Sequence, residues 1–409
     1  MAEQFVFIDG GVTAAKGFKA SGEHLGIRKN RDKRDTALIV SDTLCTAACC
    51  YTQNLVQGAP IAVTKAHVAD GHARAILCNS GNANTCNANG KEIAEGMCAL
   101  VTQHTGVPAG DVVVASTGVI GQPMSLDPFE KGMRRLAVAL RHNGGHDAAE
   151  AIMTTDTVAK EVAVEFTLGG RLCRMGGISK GSGMIHPNMA TMLCFITTDA
   201  AIAPDCLQTA LSGVVKDTFN MLSVDGDTST NDMVTVLAGG LAGNPEIAAC
   251  DGPEYGTFKA ALYQVCAKLC RIMAKDGEGA TKLMTCTVTG APDKANAKLV
   301  AKSVVCSTLL KAAIFGADAN WGRVLCAIGY SGAAVDIGKI DVQFQSRAGV
   351  VSVCTGGSGV PFSEEDAKLV LSESEIDVAV QLNAGTEQAV AWGCDLTYDY
   401  VKINGDYRT

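Results

Sequence analysis

Four glycines fall within the eight residues Gly176-Gly177-Ile178-Ser179-Lys180-Gly181-Ser182-Gly183. The chain then passes through Met184-Ile185-His186-Pro187-Asn188-Met189-Ala190 into Thr191-Met192-Leu193-Cys194-Phe195-Ile196-Thr197-Thr198. The glycines let a backbone turn tightly and approach a ligand closely, and the apolar run after them reads as a buried strand. The order Gly-Lys-Ser/Thr of a phosphate loop is missing. A small residue followed by a threonine at the head of a buried strand has a specific chemical use. If the chain is cut before Thr191, one residue supplies both a hydroxyl nucleophile and a free amine to act as its base. An α-amine with a pKa of about 8 can accept a proton near neutrality without a histidine. An ordinary glycine-rich loop entering a strand fits the same residues, and the segment by itself leaves both readings open.

The remaining sequence predicts an α/β fold of layered sheets with packed helices. Strands are expected at Ala37–Val40, Ala75–Cys78, Val112–Ala115 and Val162–Phe166, and again at Ile340–Phe344, Val350–Cys354, Ile376–Leu382 and Trp392–Tyr400. Apolar spacings of three and four predict helices over Phe129–Leu140, from Pro204 through Phe219, over Glu254–Lys275 and over Lys294–Leu310. No repeat period and no Pro- or Ser-rich linker is visible, while 409 residues give a prior of two or three domains at about 150 residues each. A 47% hydrophobic fraction is enough for a sizeable core and excludes a disordered or fibrous chain. With 34 basic and 42 acidic residues, no basic patch supports nucleic acid or an anionic membrane as partner. Apolar runs stop short of the roughly 18 residues of a spanning helix, and the start lacks a basic segment leading an apolar one, so a cytoplasmic protein is expected. The 17 cysteines are odd in number and sit mostly in apolar contexts. They lack CxxC spacing, which points to a reduced structural core and not to disulfides or a metal. Cys45 with Cys49-Cys50, and Cys266 with Cys270, stand at helical spacing.

Other segments could carry chemistry. Val112-Val113-Val114-Ala115-Ser116-Thr117-Gly118-Val119-Ile120-Gly121 reads as a strand ending in Ser-Thr-Gly, which can present N–H groups and a hydroxyl to an oxyanion, or simply turn. The Asp225–Asp232 run lacks the register of a calcium loop, so its carboxylates and hydroxyls are expected to satisfy backbone groups. Glu278, between Gly277 and Gly279 where the long helix ends, is either an exposed cap residue or a placed carboxylate. Asn79-Ser80-Gly81-Asn82-Ala83-Asn84 is a polar binding loop or a pair of turns. His142 and His146 are separated by helix-breaking Asn143-Gly144-Gly145 and read as a solvated loop, not a metal pair.

These segments together resemble the ornithine acetyltransferase (glutamate N-acetyltransferase) family, whose members process themselves before a threonine. The likeness is carried in chain order. It begins with Gly10-Gly11-Val12-Thr13, Lys16-Gly17-Phe18, Asn79–Asn84, Ser116–Gly121 and Thr154-Thr155-Asp156-Thr157. It continues through Lys180–Ile185, Ala190-Thr191-Met192-Leu193, Asp225–Asp232 and Asp276–Thr281 to Asp318-Ala319-Asn320-Trp321-Gly322-Arg323 and Tyr400–Thr409. Gly405 stands where the family pattern has alanine, which loosens only the tail. The resemblance implies an N-terminal-nucleophile-like, self-cleaving architecture. Cleavage between Ala190 and Thr191 would give an α chain, 1–190, with the oxyanion hole and glycine-rich loop. The β chain, 191–409, would hold the nucleophile strand, a helical layer and a substrate-binding tail. It further implies Thr191 as nucleophile and Thr117 and Gly118 as the oxyanion hole. Substrate contacts would come from Thr154, Lys180, Thr191, Glu278, Asn404 and Thr409, with Thr154 the favoured member of its run.

The implied activity belongs to arginine biosynthesis: ping-pong transfer of acetyl from N2-acetyl-L-ornithine to L-glutamate through an acetyl-Thr191 ester. No metal or bound cofactor is expected, with acetyl-CoA admitted as a co-substrate for a bifunctional enzyme. The implied assembly is a heterotetramer of two α and two β chains. The alternatives are a monofunctional ornithine acetyltransferase, a related N-terminal-nucleophile amidohydrolase or aminopeptidase in which water resolves the acyl-enzyme, and a binding protein that keeps the fold without the cut. Glutamate dependence of product formation separates the enzymes.

Overall fold

The computed structural model describes residues 5–186 and 192–406. They form a mixed α/β fold with two sheets, and the chain divides into two compact units. The first holds residues 1–181, 188–216 and 228–269; the second holds 182–187, 217–227 and 270–409. Both units take segments from either side of position 190, so a cut there would divide the chain without dividing it between the units.

The first unit carries the larger sheet. Its strands are β1 (Val6–Ile8), β2 (Phe18–Glu23), β3 (Thr36–Tyr51), β4 (His72–Asn79), β5 (Val112–Ser116), β6 (Lys160–Leu168), β7 (Arg171–Lys180), β8 (Leu193–Thr198) and β9 (Met233–Ala238). The order is β1-β6-β7-β8-β9-β3-β4-β5, with β2 paired to the first half of β3. The sixteen-residue β3 shifts register between Val40 and Cys45 and passes from β4 and β2 to β9, which lets one strand serve two parts of the sheet. Strands β5, β8 and β9 are buried at every position, and their largely apolar composition is that of strands covered on both faces. One face, with Ile39, Ile76, Ile178 and Phe195, packs on Ala148 and Ile152 of α4 (Gly145–Ile152). The other, with Leu38, Leu77 and Val114, meets α1 (Ala59–His67), α2 (Gly90–Thr105) and α3 (Asp127–Val138) through Val63, Met97 and Phe129. Helices α5 (Pro204–Asp217) and α6 (Gly252–Lys275) complete the layer, α6 reaching the sheet through Leu269 beside Gly177.

The second unit has a six-stranded sheet built from β10 (Leu283–Ala291), β11 (Asp341–Ser346), β12 (Gly349–Thr355), β13 (Ser358–Gly359), β14 (Glu375–Gln381) and β15 (Glu387–Cys394), in the order β13-β12-β11-β14-β10-β15. Strand β14 alternates strictly between buried and half-buried positions, the period-2 signature of a sheet. Helices α7 (Lys294–Cys306), α8 (Thr308–Phe315), α9 (Trp321–Gly329), α10 (Glu364–Leu371) and α11 (Tyr398–Asp406) belong to this unit, with α7 against β10 and β15 and α10 against β11 and β12.

Several expectations are corrected. The helix expected over Lys294–Leu310 is two helices, because Ser307 turns extended and its hydroxyl accepts the Leu310 N–H as the N-cap of α8. The helix from Pro204 stops at Asp217, and Phe219 begins a separate 3₁₀ turn. The strand expected over Trp392–Tyr400 ends at Cys394. Asp395 there accepts the N–H groups of Thr281 and Lys282, and Tyr398 opens α11. Cys45, Cys49 and Cys50 lie on a strand, not a helix, whereas Cys266 and Cys270 do share α6. His146 stands in α4, paired with Glu161 at 2.7 Å, and only His142 is outside regular structure. Most cysteines are buried and free, and burial pushes the Cys45 and Cys49 thiols up to about 11. One pair departs from the reduced set: Cys206, in the first turn of α5, is bonded to Cys250, with Cα atoms 4.8 Å apart. Their separation of 44 residues hides this pair from any reading of local spacing.

Candidate active site

The residues expected to carry chemistry fall into two groups, one in each unit. In the first unit β5 ends at Ser116, and Thr117 and Gly118 turn away from it. Gly118 has φ of +130°, and a Cβ there would lie 2.4 Å from the Gly81 carbonyl carbon, so this close crossing admits only glycine. The loop Asn79–Asn84 is the support of that turn. The Asn79 carbonyl accepts the Thr117 N–H at 2.9 Å, and the Asn79 side chain accepts from the Ser116 hydroxyl at 2.6 Å while donating to the Asn82 carbonyl at 2.9 Å. Asn231 ties the two strands of backbone together by donating to the carbonyls of Ala83 and Ser116 at 2.6 and 2.9 Å.

Lys180 is the last residue of β7, opposite Leu193 at the head of β8. Its ammonium donates to Thr117 Oγ1 at 3.2 Å in a buried setting. That bond fills a lone pair of the hydroxyl and leaves its hydrogen to point at another acceptor. Beyond Lys180, Gly181 N–H donates to Asp156 Oδ1 at 2.7 Å. Asp156 Oδ2 accepts the Thr154 N–H at 2.9 Å, so one buried carboxylate holds the backbone of both Thr154 and Gly181, the residue after Lys180. Lys160 donates to Asp156 Oδ1 at 2.5 Å, and neither side chain is exposed. Burial works to raise the Asp156 carboxyl, but Lys160 and Lys180, with the hydrogen bonds from Lys160 and Thr154, outweigh it and hold the group at about 2. Burial lowers the pKa of Lys180, against the pull of Asp156 and Asp232.

The second unit holds Glu278 and Asn404. Asn404, on α11, donates to Glu278 Oε2 at 2.7 Å. Glu278 N–H donates to the Ser182 carbonyl at 2.9 Å, and its carboxylate presses on Gly183, where a Cβ would come within 2.3 Å. Glu278 is therefore a placed carboxylate, and Gly183 is small because of it. The Asp225 carboxylate accepts the N–H groups of Met184 and Ile185 at 2.6 and 2.9 Å, as expected of that run. Ala190, Thr191 and Thr409 lie outside the described residues.

The glycine-rich stretch is not one loop. Gly176 and Gly177 belong to β7, where a Cβ on Gly176 would strike the Gly11 carbonyl oxygen at 2.1 Å, and the loop begins only at Gly181. Sequence reasoning also missed Asp156, Lys160, Asn231 and Asp232 as members of this neighbourhood. Asp156 carried a signal, since it interrupts the Thr154–Thr157 run with a carboxylate. Lys160 carried none. Among the described residues no cluster of three or more His, Cys, Asp or Glu could hold a metal ion, and no helix is long and apolar enough to cross a membrane.

The ArgJ family profile matches residues 19–409. The "Arginine biosynthesis bifunctional protein ArgJ" of Caldanaerobacter subterraneus subsp. tengcongensis is 48% identical over 404 residues, covering 98% of this chain and 99% of its own. The protein of the same name from Symbiobacterium thermophilum is 49% identical over 405 residues, covering 98% of this chain and all of its own. Among solved structures, the arginine biosynthesis bifunctional protein of Bacillus halodurans is 46% identical with a TM-score of 0.48, covering 52% of this chain and 97% of that one. The ornithine acetyltransferase of Mycobacterium tuberculosis, solved with ornithine, is 32% identical with a TM-score of 0.41, covering 46% of this chain and 100% of that one. By the extent of its match, this chain belongs to the ArgJ family.

Proposed function

We propose that this acyltransferase moves acetyl from N2-acetyl-L-ornithine to L-glutamate through an ester on Thr191, after cutting itself between Ala190 and Thr191. The observation that carries the reading is the bond between the Lys180 ammonium and Thr117 Oγ1, formed opposite the first residue of the strand that Thr191 leads into. It joins a cation suited to a carboxylate with a hydroxyl whose hydrogen is free to meet an oxyanion.

The parts then have separate tasks. Thr191 Oγ attacks the acetyl carbonyl, and its own α-amine takes the proton. The Thr117 N–H is committed to Asn79, so the donors of this turn for the tetrahedral oxyanion are the Thr117 hydroxyl and the Gly118 N–H. The α-amine returns its proton to the leaving ornithine amine, and the amine of glutamate attacks the ester. Both substrates are α-amino acids, and Lys180 takes the α-carboxylate of either, with Thr154 beside it. The roles of Glu278, Asn404 and Thr409 as substrate contacts rest on the family resemblance. So do the two-α, two-β assembly and the second activity, acetylation of glutamate from acetyl-CoA; the relatives' name, bifunctional protein, favours the latter.

Thr117→Val tests the donor assignment. It keeps the shape of the side chain and removes the hydroxyl, so kcat should fall about 10²–10³-fold, with Thr117→Ser restoring most of it. A loss under about fivefold in Thr117→Val would remove this hydroxyl from the oxyanion site.

A further inference from the structure

Asp232 is 2% exposed, and its Oδ2 makes no hydrogen bond to any atom of the described residues. It immediately precedes β9. Met233 donates its N–H to the Met192 carbonyl at 2.9 Å and pairs with Leu193, which itself faces Lys180 across the β7–β8 ladder. Two strand spacings thus separate the backbones of Asp232 and Lys180, and the long Lys180 side chain bridges part of that gap. A buried carboxylate with no cation bonded to it is costly, whereas the same group carrying a proton is tolerable. Asp156, the other buried carboxylate acting on Lys180, holds a direct bond from Lys160 and two backbone N–H groups, and it is fully used.

We propose that Asp232 is a positioning residue acting through Lys180: its carboxyl, kept neutral, leaves one net positive charge on the buried group Asp156, Lys160 and Lys180, and that charge receives the substrate's α-carboxylate. The proposal rests on the reading of Lys180 as the carboxylate-binding cation. With Asp232 ionised, two carboxylates would balance two ammonium groups, and the site would have no charge to offer. In a low-dielectric interior that difference decides whether an anion enters. Burial drives the Asp232 carboxyl well above the ordinary carboxylate range, and the pulls of Ser229 and Lys180 do not offset it. The titratable groups facing Lys180 are Asp156 from the loop before β6, Lys160 of β6, Cys78 of β4 and Asp232, and the charged group facing Asp232 is Lys180.

The test is the pH dependence of KM for L-glutamate in the full-length, processed enzyme and in Asp232→Asn, which mimics the neutral acid permanently. At low pH the two should agree within about twofold. Above the Asp232 pKa, the wild-type KM should climb relative to the variant by about tenfold per pH unit, since only the neutral form binds. A ratio that stays flat from pH 5 to about 9.5, or a variant KM raised equally at every pH, overturns the inference. Calorimetry on the wild type with glutarate, in buffers of different ionisation enthalpy, gives a second readout that needs no variant. About one proton should be taken up on binding above that pKa and none below it, and absence of uptake overturns the inference as well. Lys180→Gln separates this from the underlying reading. If that variant keeps the wild-type KM, the assignment of Lys180 has failed. If it loses affinity while the Asp232→Asn ratio stays flat, only the role of Asp232 has failed.

Discussion

Thr191→Ala is expected to give one uncut chain with no acetyl transfer. Both losses follow from a single hydroxyl. Self-cleavage needs Thr191 Oγ to attack the Ala190 carbonyl, forming an ester by N-to-O shift that water then opens. Without the hydroxyl there is no ester, the nitrogen of residue 191 stays an amide, and an amide is no base. The turnover reaction lacks nucleophile and base together, so removing this residue should cost the whole catalysed rate instead of one donor's share. Intact mass under denaturing, reducing conditions reads the first loss directly: two chains in the wild type, one in the variant. Thr191→Ser retains a hydroxyl and should still cut. Two chains in Thr191→Ala would place the cleavage elsewhere and end the proposed mechanism. In the processed wild type, N2-acetyl-L-ornithine supplied without glutamate should leave the β chain heavier by one acetyl group. That species separates acyl transfer to glutamate from prompt hydrolysis by water.

What could be read before the structure was the part that local pattern encodes. Strands such as Val112–Ser116 are buried at every position because both faces are covered, which gives the apolar run Val112–Ala115, and α6 carries Phe258, Leu262, Val265 and Leu269 on one buried side. The Ser-Thr-Gly turn, Lys180 and Glu278 were visible because glycines beside polar residues are unusual and because the family pattern repeats them. Errors arose where one residue's side chain redirects the backbone: the Ser307 hydroxyl breaks a helix, and Asp395 ends a strand. The glycines of β7 misled for a different reason. Gly176 is small to admit the Gly11 backbone, a contact between segments 165 residues apart that no local window contains. The same holds for the charges around Lys180. Lys160 lies in an ordinary strand and Asp232 in a polar turn, and only the strand order brings their charges within reach of one another.

Lys160→Met should be the most destabilising single change in this neighbourhood. The Lys160–Asp156 pair has no exposure on either side chain. A buried pair adds little over a well-packed apolar substitute, but removing one partner strands the other charge, at a cost of about 3–5 kcal/mol. Methionine fills most of the lysine's volume, so the loss measures charge more than cavity. Asp156 cannot simply be neutralised without consequence, because its oxygens also accept from Thr154 and Gly181 and hold the start of the loop after β7. A fall in Tm on the order of 10 °C is expected for a unit of this size. The pH dependence supplies the sign. Because the Asp156 pKa is depressed to about 2, its contribution is fully present above the unfolded carboxylate value of about 3.9 and is lost as pH falls through about 2. The variant, with its strongest cation gone, should begin losing stability at a higher pH than the wild type on acidification. Equal acid unfolding midpoints for the two proteins would show that Lys180 alone suffices to hold Asp156 ionised, and that Lys160 serves the packing of β6 instead.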